Sequence, residues 1–257
     1  MKRDYTLATV EKTLDILEYL SHHREEHGLQ ELGKALHIPK ATLFRYLVTL
    51  EGRGYVRRTP TNGRYSLGFK ILELSDSALR SSTLHELALP RMRELLDRFQ
   101  ETVNLAVLEE NQIVYVQILE SPRPFKMVAQ VGGRDFLHST SLGKAMLAFL
   151  PEEEVERITH ATGFPKRTEK TISSLHQLRE ELAIIRRRGY AIDAEENEEG
   201  ACCVGAPILD RRANVVAALS FSGPMPHFSS SLIDEMGAAL VELTGQISRE
   251  MGYLSQE

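Results

Sequence analysis

The sequence predicts an α+β chain in two parts: a small helical unit that ends in a β-hairpin, and a larger unit built on an antiparallel sheet flanked by helices. Three observations predict it. Apolar residues recur at helical spacing through the first hundred residues, then switch to alternating and continuous strand-like runs from Val103. The length of 257 residues and a hydrophobic share of 42% suit two cores or one large one. Charge is uneven: the whole chain carries −5, yet residues 34–70 hold eight basic residues and a single acid, Glu51. A basic patch on an acidic chain is the footprint of a polyanion-binding module rather than of a generally basic protein.

Val10, Leu14, Leu17 and Leu20 place a first helix over residues 7–22. HREEHG interrupts the pattern, and LQELGKALHI predicts a short second helix with Leu29, Leu32 and Leu36 inward. Pro39 stands where proline is tolerated, in the first turn of a third helix whose buried stripe is Leu43, Leu47 and Leu50. GYVRR and GRYSLG alternate as two strands joined by the turn TPTNG. Helix, helix, tight turn, helix and hairpin form a winged helix-turn-helix. Its third helix would enter a major groove of double-stranded DNA. Arg45 would fork onto a guanine edge, Lys40 and Thr42 would hold phosphates with the first-turn amides, and Arg57, Arg58 and Arg64 would set the wing beside the backbone. Ala41 and Phe44 share this helix and complete the candidate DNA-binding set.

Residues 69–82, FKILELSDSALRSS, predict a linker helix. A further helix follows, and Pro90 inside it is expected to kink it or end its first half. VNLAVLE, QIVYVQILE and FKMVAQV predict three consecutive strands. SLGKAMLAFL, PEEEVERITHA and SLHQLREELAIIRRRGY predict three helices, and YAIDA, ACCVGAPIL and NVVAALSFSG three more strands. The segment from SSLIDEM to REMGYL closes the chain as an amphipathic helix. The expected division is 1–68 for the winged unit, 69–82 for the linker and 83–257 for the larger domain.

Five segments carry a resemblance to a known family: HIPKATLFRYLVTLEGRGYVRR, GRYSLGFKILEL, LHSTSLGKAMLAFL, RRGYAIDAEENEEGACCVGAPILD and AALSFSGP. In order and spacing the chain resembles an IclR-family transcriptional regulator along nearly its full length. The resemblance implies a C-terminal effector domain of GAF-like shape, and homodimers or homotetramers on palindromic operator DNA. Ala41 stands where the family usually has serine, which removes one hydroxyl from the DNA-facing set. Carried over by motif, the effector site comprises Ser141 and Leu142 at the start of the SLGKAMLAFL helix, Asp193, Cys203, Ser220 and Ser222, with Met127 as apolar wall. The residues make chemical sense of this. Ser220 and Ser222 alternate with Leu219 and Phe221, so both hydroxyls fall on one strand face. Free amides at a helix start suit a carboxylate. The expected effector is a small organic acid, 2-oxo, sugar-derived or aromatic; Asp193 would accept from a ligand hydroxyl or orient its neighbours rather than meet a bare anion.

Other motifs point to no further chemistry. His23 and His27 have zincin-like spacing but fall at a helix end. Ser141 and Lys144 match S-x-x-K without the companion motifs of an acyl-enzyme, and Lys144 is expected to be solvated or to pack on its helix. EENEEG is expected to be a solvated acidic turn. Cys202 and Cys203 point to opposite faces of a strand and cannot chelate one metal; Cys203 is the pocket-facing one. No cofactor and no metal are expected. With only these two cysteines, no leader pattern and no long apolar run, a cytoplasmic protein without membrane association or structural disulfides is expected. Two alternatives remain: a DNA-binding redox sensor using Cys202 and Cys203, and a small-molecule enzyme whose N-terminal helices only mediate assembly.

Overall fold

The computed structural model describes residues 7–23, 25–80, 83–127 and 129–253. The chain divides into two compact units, Met1–Ser81 and Ser82–Glu257.

The first unit runs α1 (Ala8–His22), α2 (Leu29–Ala35), α3 (Lys40–Gly52), β1 (Val56–Arg58), β2 (Tyr65–Leu67) and α4 (Lys70–Arg80). Ile16 and Leu20 of α1, Leu32 of α2, the α3 stripe Leu43, Leu47 and Leu50, and Val56 and Tyr65 of the hairpin form its core. Helix α2 begins with the Glu31 carboxylate accepting from the Gly28 amide at 3.0 Å, which satisfies one free N–H of the helix start. Positive φ at His37 (52°) makes the tight turn between α2 and α3. The α1 stripe is only half inward: Val10 and Leu14 are 51% and 50% exposed.

The second unit runs α5 (Thr83–Phe99), β3 (Thr102–Glu109), β4 (Gln112–Leu119), β5 (Arg134–Phe136), α6 (Ser141–Leu147), α7 (Glu152–Thr162), α8 (Leu175–Arg188), β6 (Ala191–Ala194), β7 (Ala201–Leu209), β8 (Val215–Pro224), a 3-10 turn and α9 (Ser230–Glu250). Its six strands form one sheet in the order β5-β4-β3-β8-β7-β6, every neighbouring pair antiparallel. Strand alternation divides the side chains into two layers. Val103, Leu105, Cys202, Val204, Leu219 and Phe221 join α5 and α9 in one core. Ala106, Ile113, Ala191 and Ala218 join α6, α7 and α8 in the other.

Two expectations are corrected. Residues 125–127 and 129–131 form no strand, Val128 lying outside the described residues; the third strand is the short β5 instead. The two glycines just before it explain the shift: Gly132 adopts φ 82°, and Gly133 has room for no Cβ, which would lie 2.8 Å from the Gln130 carbonyl. Of the two outcomes expected at Pro90, a kink or an end to the first half of the helix, the second does not occur, since α5 continues through it to Phe99. There Ala88, Met92 and Leu95 are buried against the sheet, so tertiary packing holds the helix across the missing N–H.

Candidate functional site

In the first unit α3 turns Lys40, Ala41, Phe44 and Arg45 outward, with Thr42 half-buried. Arg57 and Arg58 on β1 are exposed, steadied by hydrogen bonds to Ser66 Oγ at 2.9 Å and the Gly63 carbonyl at 3.3 Å. Arg64 makes contacts beyond those expected. Its guanidinium turns back to the body of the unit, donating to the Glu26 carbonyl at 2.8 Å and pairing with Glu31 at 2.7 Å. These contacts brace the hairpin against the body of the unit. Beyond the end of α1, His23 stacks on Tyr19 and His27 meets the same ring edge-on.

In the second unit a cavity of about 230 Å³ opens on the sheet face that α6 covers, beyond the start of that helix. Strand register builds its floor. Asp193 of β6, Cys203 of β7 and Ser222 of β8 lie in one cross-strand row. Asn104 of β3 sits diagonal to this row, and its amide donates to Ser222 Oγ at 3.0 Å and Ser220 Oγ at 3.3 Å. The Asn104 carbonyl oxygen is buried without a partner. Tyr115 of β4 and the neighbouring Gly133, Arg134 and Asp135 line one side together with Met127 and Gln130, the Tyr115 amide donating to the Gly133 carbonyl at 3.0 Å. Asn197 and Glu198 complete the rim.

The expected residues therefore separate. Met127, Asp193, Cys203 and Ser222 line the cavity. Ser220 is buried and touches it only through Asn104. Ser141 and Leu142 are also buried, because α6 starts directly over Gly205, where a Cβ would lie 3.0 Å from the Ser141 carbonyl carbon. The cap of α6 is Thr140, whose Oγ1 accepts from the Gly143 amide at 3.0 Å. Asn104, Tyr115, Asp135 and Asn197 escaped the sequence reading. The one available signal was an asparagine inside the apolar run VNLAV, which gains meaning only once β3 is known to pair with β8.

Two further expectations are corrected. Lys144 is fully buried: its ammonium donates to the Ile192 carbonyl at 2.6 Å and pairs with Glu196, with Glu181 at 3.7 Å. The acidic turn is solvated only in its second half, where Glu198 and Glu199 are exposed. Glu196 is turned in to Lys144, and the Glu196 and Asn197 amides donate to Asp193 Oδ1 at 2.7 and 3.3 Å. Burial, reinforced by the neighbouring Glu196, pushes the Asp193 carboxyl up to about 7 against the pull of Lys144. Burial also holds the Tyr115 hydroxyl protonated and raises both thiols, Cys202 to about 12 and Cys203 well above its ordinary value. Thiols held protonated are the reverse of the activated thiolate a redox sensor needs. Among the described residues no cluster of three or more metal-ligating side chains occurs, and no helix is long and apolar enough to cross a membrane.

A winged helix-turn-helix joined to a domain with a small polar cavity defines a DNA-binding transcriptional regulator with an effector domain. The chain belongs to the IclR family: residues 9–60 match the IclR helix-turn-helix domain, and residues 76–249 match the bacterial transcriptional regulator IclR C-terminal domain. It is 37% identical over 252 residues to the HTH-type transcriptional regulator KdgR of Dickeya chrysanthemi, covering 98% of this chain and 82% of that protein. The crystal structure of the Thermotoga maritima IclR superposes with a TM-score of 0.84 at 33% identity, covering 95% of this chain and 99% of that one. An IclR homolog from Microbacterium hydrocarbonoxydans, crystallised with 4-hydroxybenzoate, superposes with a TM-score of 0.82 at 26% identity over 95% of this chain and 99% of that one. The family consists of regulators rather than enzymes, so the enzyme alternative falls away.

Proposed function

We propose that this chain binds a palindromic operator as a homodimer or homotetramer and changes its affinity when a small hydroxylated organic acid enters the cavity of the second unit. In this reading residues 1–68 bind DNA, 69–82 link, and 83–257 sense the effector in the cytoplasm. Lys40, Thr42, Arg45, Arg57 and Arg58 meet the duplex. Met127, Asp193, Cys203 and Ser222 meet the effector, and Asn104 joins them with Ser220 behind it.

The observation that carries the sensing half is the Asn104 amide, pinned by two serines with its buried carbonyl oxygen left free. A buried acceptor without a donor is costly, and a ligand hydroxyl would satisfy it. Asp193 and Asn197 offer further polar partners for hydroxyls. The acid end would face Gln130 on the outer wall, away from Asp193. The homolog bound to 4-hydroxybenzoate, itself a hydroxylated acid, is consistent with this class of ligand.

Two measurements test the proposal. Gel shifts with DNA from upstream of the chain's own gene, at low and moderate salt, should reveal one duplex bound more tightly than random sequence. Calorimetry against a panel of 2-oxo, sugar-derived and aromatic acids should find a binder whose affinity drops in Ser222→Ala by about 0.5–1.5 kcal/mol, the value of one neutral hydrogen bond. A binder indifferent to Ser222→Ala and Asn104→Ala would move the effector site elsewhere.

A further inference from the structure

The DNA-facing side of α3 is unusually apolar. Ala41, Phe44, Arg45 and Val48 stand at i, i+3, i+4 and i+7, so they form one continuous stripe. It lies away from the buried stripe Leu43, Leu47 and Leu50. Phe44 and Val48 are 46% and 48% exposed. Leaving two large apolar groups in water on so short a helix is unfavourable unless a partner covers them.

Charge decides which partner. No acid occupies the first turn of α3. Lys40 stands at one end of the stripe and Arg45 sits within it; past Val48 the chain carries one exposed acid, Glu51, followed by three exposed arginines, Arg53, Arg57 and Arg58. A cationic rim around an apolar strip fits a groove walled by phosphates and poorly fits a second copy of the same cationic face. Within the major groove the one apolar feature of a base edge is the C5-methyl of thymine, beside the acceptors of guanine that suit a guanidinium.

We propose that Ala41, Phe44 and Val48 read thymine C5-methyl groups on either side of the guanine taken by Arg45. Val48 is thereby a specificity residue, and the half-site is a guanine flanked by thymines. The inference rests on the reading of α3 as the groove-bound helix.

Full-length protein would be used to enrich duplexes from a random pool. Each thymine of the enriched half-site would then be replaced, one at a time, by deoxyuridine, which removes the methyl and keeps every hydrogen bond. Affinity should fall about fourfold for each methyl read, the effect of one methyl group returned to water. In Val48→Ala and Phe44→Ala, checked for unchanged melting, the loss at one specific thymine should vanish. Uniform tolerance of deoxyuridine, with Arg45→Ala still relaxing a guanine position, would overturn methyl reading while leaving the DNA-binding assignment intact. A pool with no enriched sequence would overturn both. Smaller species in sedimentation of Val48→Ala, with no deoxyuridine effect, would assign the stripe to self-association and overturn the proposal.

Discussion

At the scale of single residues, the buried Lys144 governs the turn that carries Asp193. Its ammonium, fully enclosed, faces Glu196 and Glu181 and the Ile192 carbonyl. Removing one partner of such a pair leaves an uncompensated charge in a medium that cannot solvate it. Lys144→Met should therefore destabilise the full chain by roughly 3–5 kcal/mol in urea unfolding, and adding Glu196→Gln should restore part of the loss. A loss no larger than that of an exposed ion pair would mean water reaches this site. Asp193 gives a second prediction. Its carboxyl is raised to about 7, so between its unfolded value and pH 7 the folded chain holds a proton the unfolded chain has released. Its contribution to stability is fullest below the unfolded value and is lost as pH rises through 7. From pH 6 to 7 wild type should lose about 1 kcal/mol relative to Asp193→Asn, which keeps the acceptor for the Glu196 and Asn197 amides. Parallel urea midpoints for the two chains would refute the shift. Neither role was legible in the sequence. Lys144 lies in a helix that reads as amphipathic, and burial of both its neighbours depends on contacts 37 and 52 residues away. The alternation placing Cys203 and Ser222 on one face, by contrast, is local and could be read directly.

At the scale of elements, close approach sets α6 in place. A Cβ on Gly143 would lie 2.4 Å from the Leu137 Cα and 2.5 Å from its carbonyl oxygen, so the helix rests on the backbone of the preceding loop. Gly143→Ala should push α6 off that loop and cost ~1–3 kcal/mol or more. Gly245, inside α9, meets only the Arg249 guanidinium at 3.5 Å. Gly245→Ala should instead stabilise the chain by roughly 0.5–1 kcal/mol, through the lower backbone entropy of alanine in a helix. Thermal melts of the two variants should thus move in opposite directions, and a matching fall in both would contradict the packing described. Helix order and the wing were readable because stripe spacing and turn residues are local signals. The third strand was misplaced because FKMVAQV has strand-like composition while Gly132 and Gly133 make the turn that defers pairing to Arg134–Phe136. The bracing contacts of Arg64 were hidden for a related reason. Composition marks it as basic, but only the folded hairpin brings it within 2.7 Å of Glu31.

At the scale of the whole molecule, the first unit exposes more apolar surface than it can leave in water. Leu7, Val10 and Leu14 around α1 are 70%, 51% and 50% exposed, and Phe69, Leu72 and Leu74 around α4 are 71%, 63% and 47% exposed. Large exposed apolar residues on two helices of one small unit are the mark of an interface. One recognition helix also reads too few base pairs for useful selectivity, so two-fold pairing through α1 and α4 would place two α3 helices on half-sites about one turn, or a multiple of it, apart. Leu14→Glu or Leu72→Glu should shift sedimentation toward a smaller species and weaken operator binding with it. Effector and operator can then communicate only if the effector binds one arrangement of the assembly more tightly. Toward the second unit the chain leaves the first through α4, Lys70–Arg80, so on this reading the route is that helix and its tightness matters. Coupling of this kind spans ~1–3 kcal/mol, or roughly 5- to 150-fold in operator affinity. Two glycines inserted beside Ser77 should leave calorimetric effector binding intact and abolish its influence on the gel shift. Ser222→Ala should do the reverse, weakening effector binding while ligand-free operator affinity stays within about twofold, because one neutral hydrogen bond is lost locally. Retention of the full effector response after the glycine insertion would exclude the linker as the route between cavity and DNA.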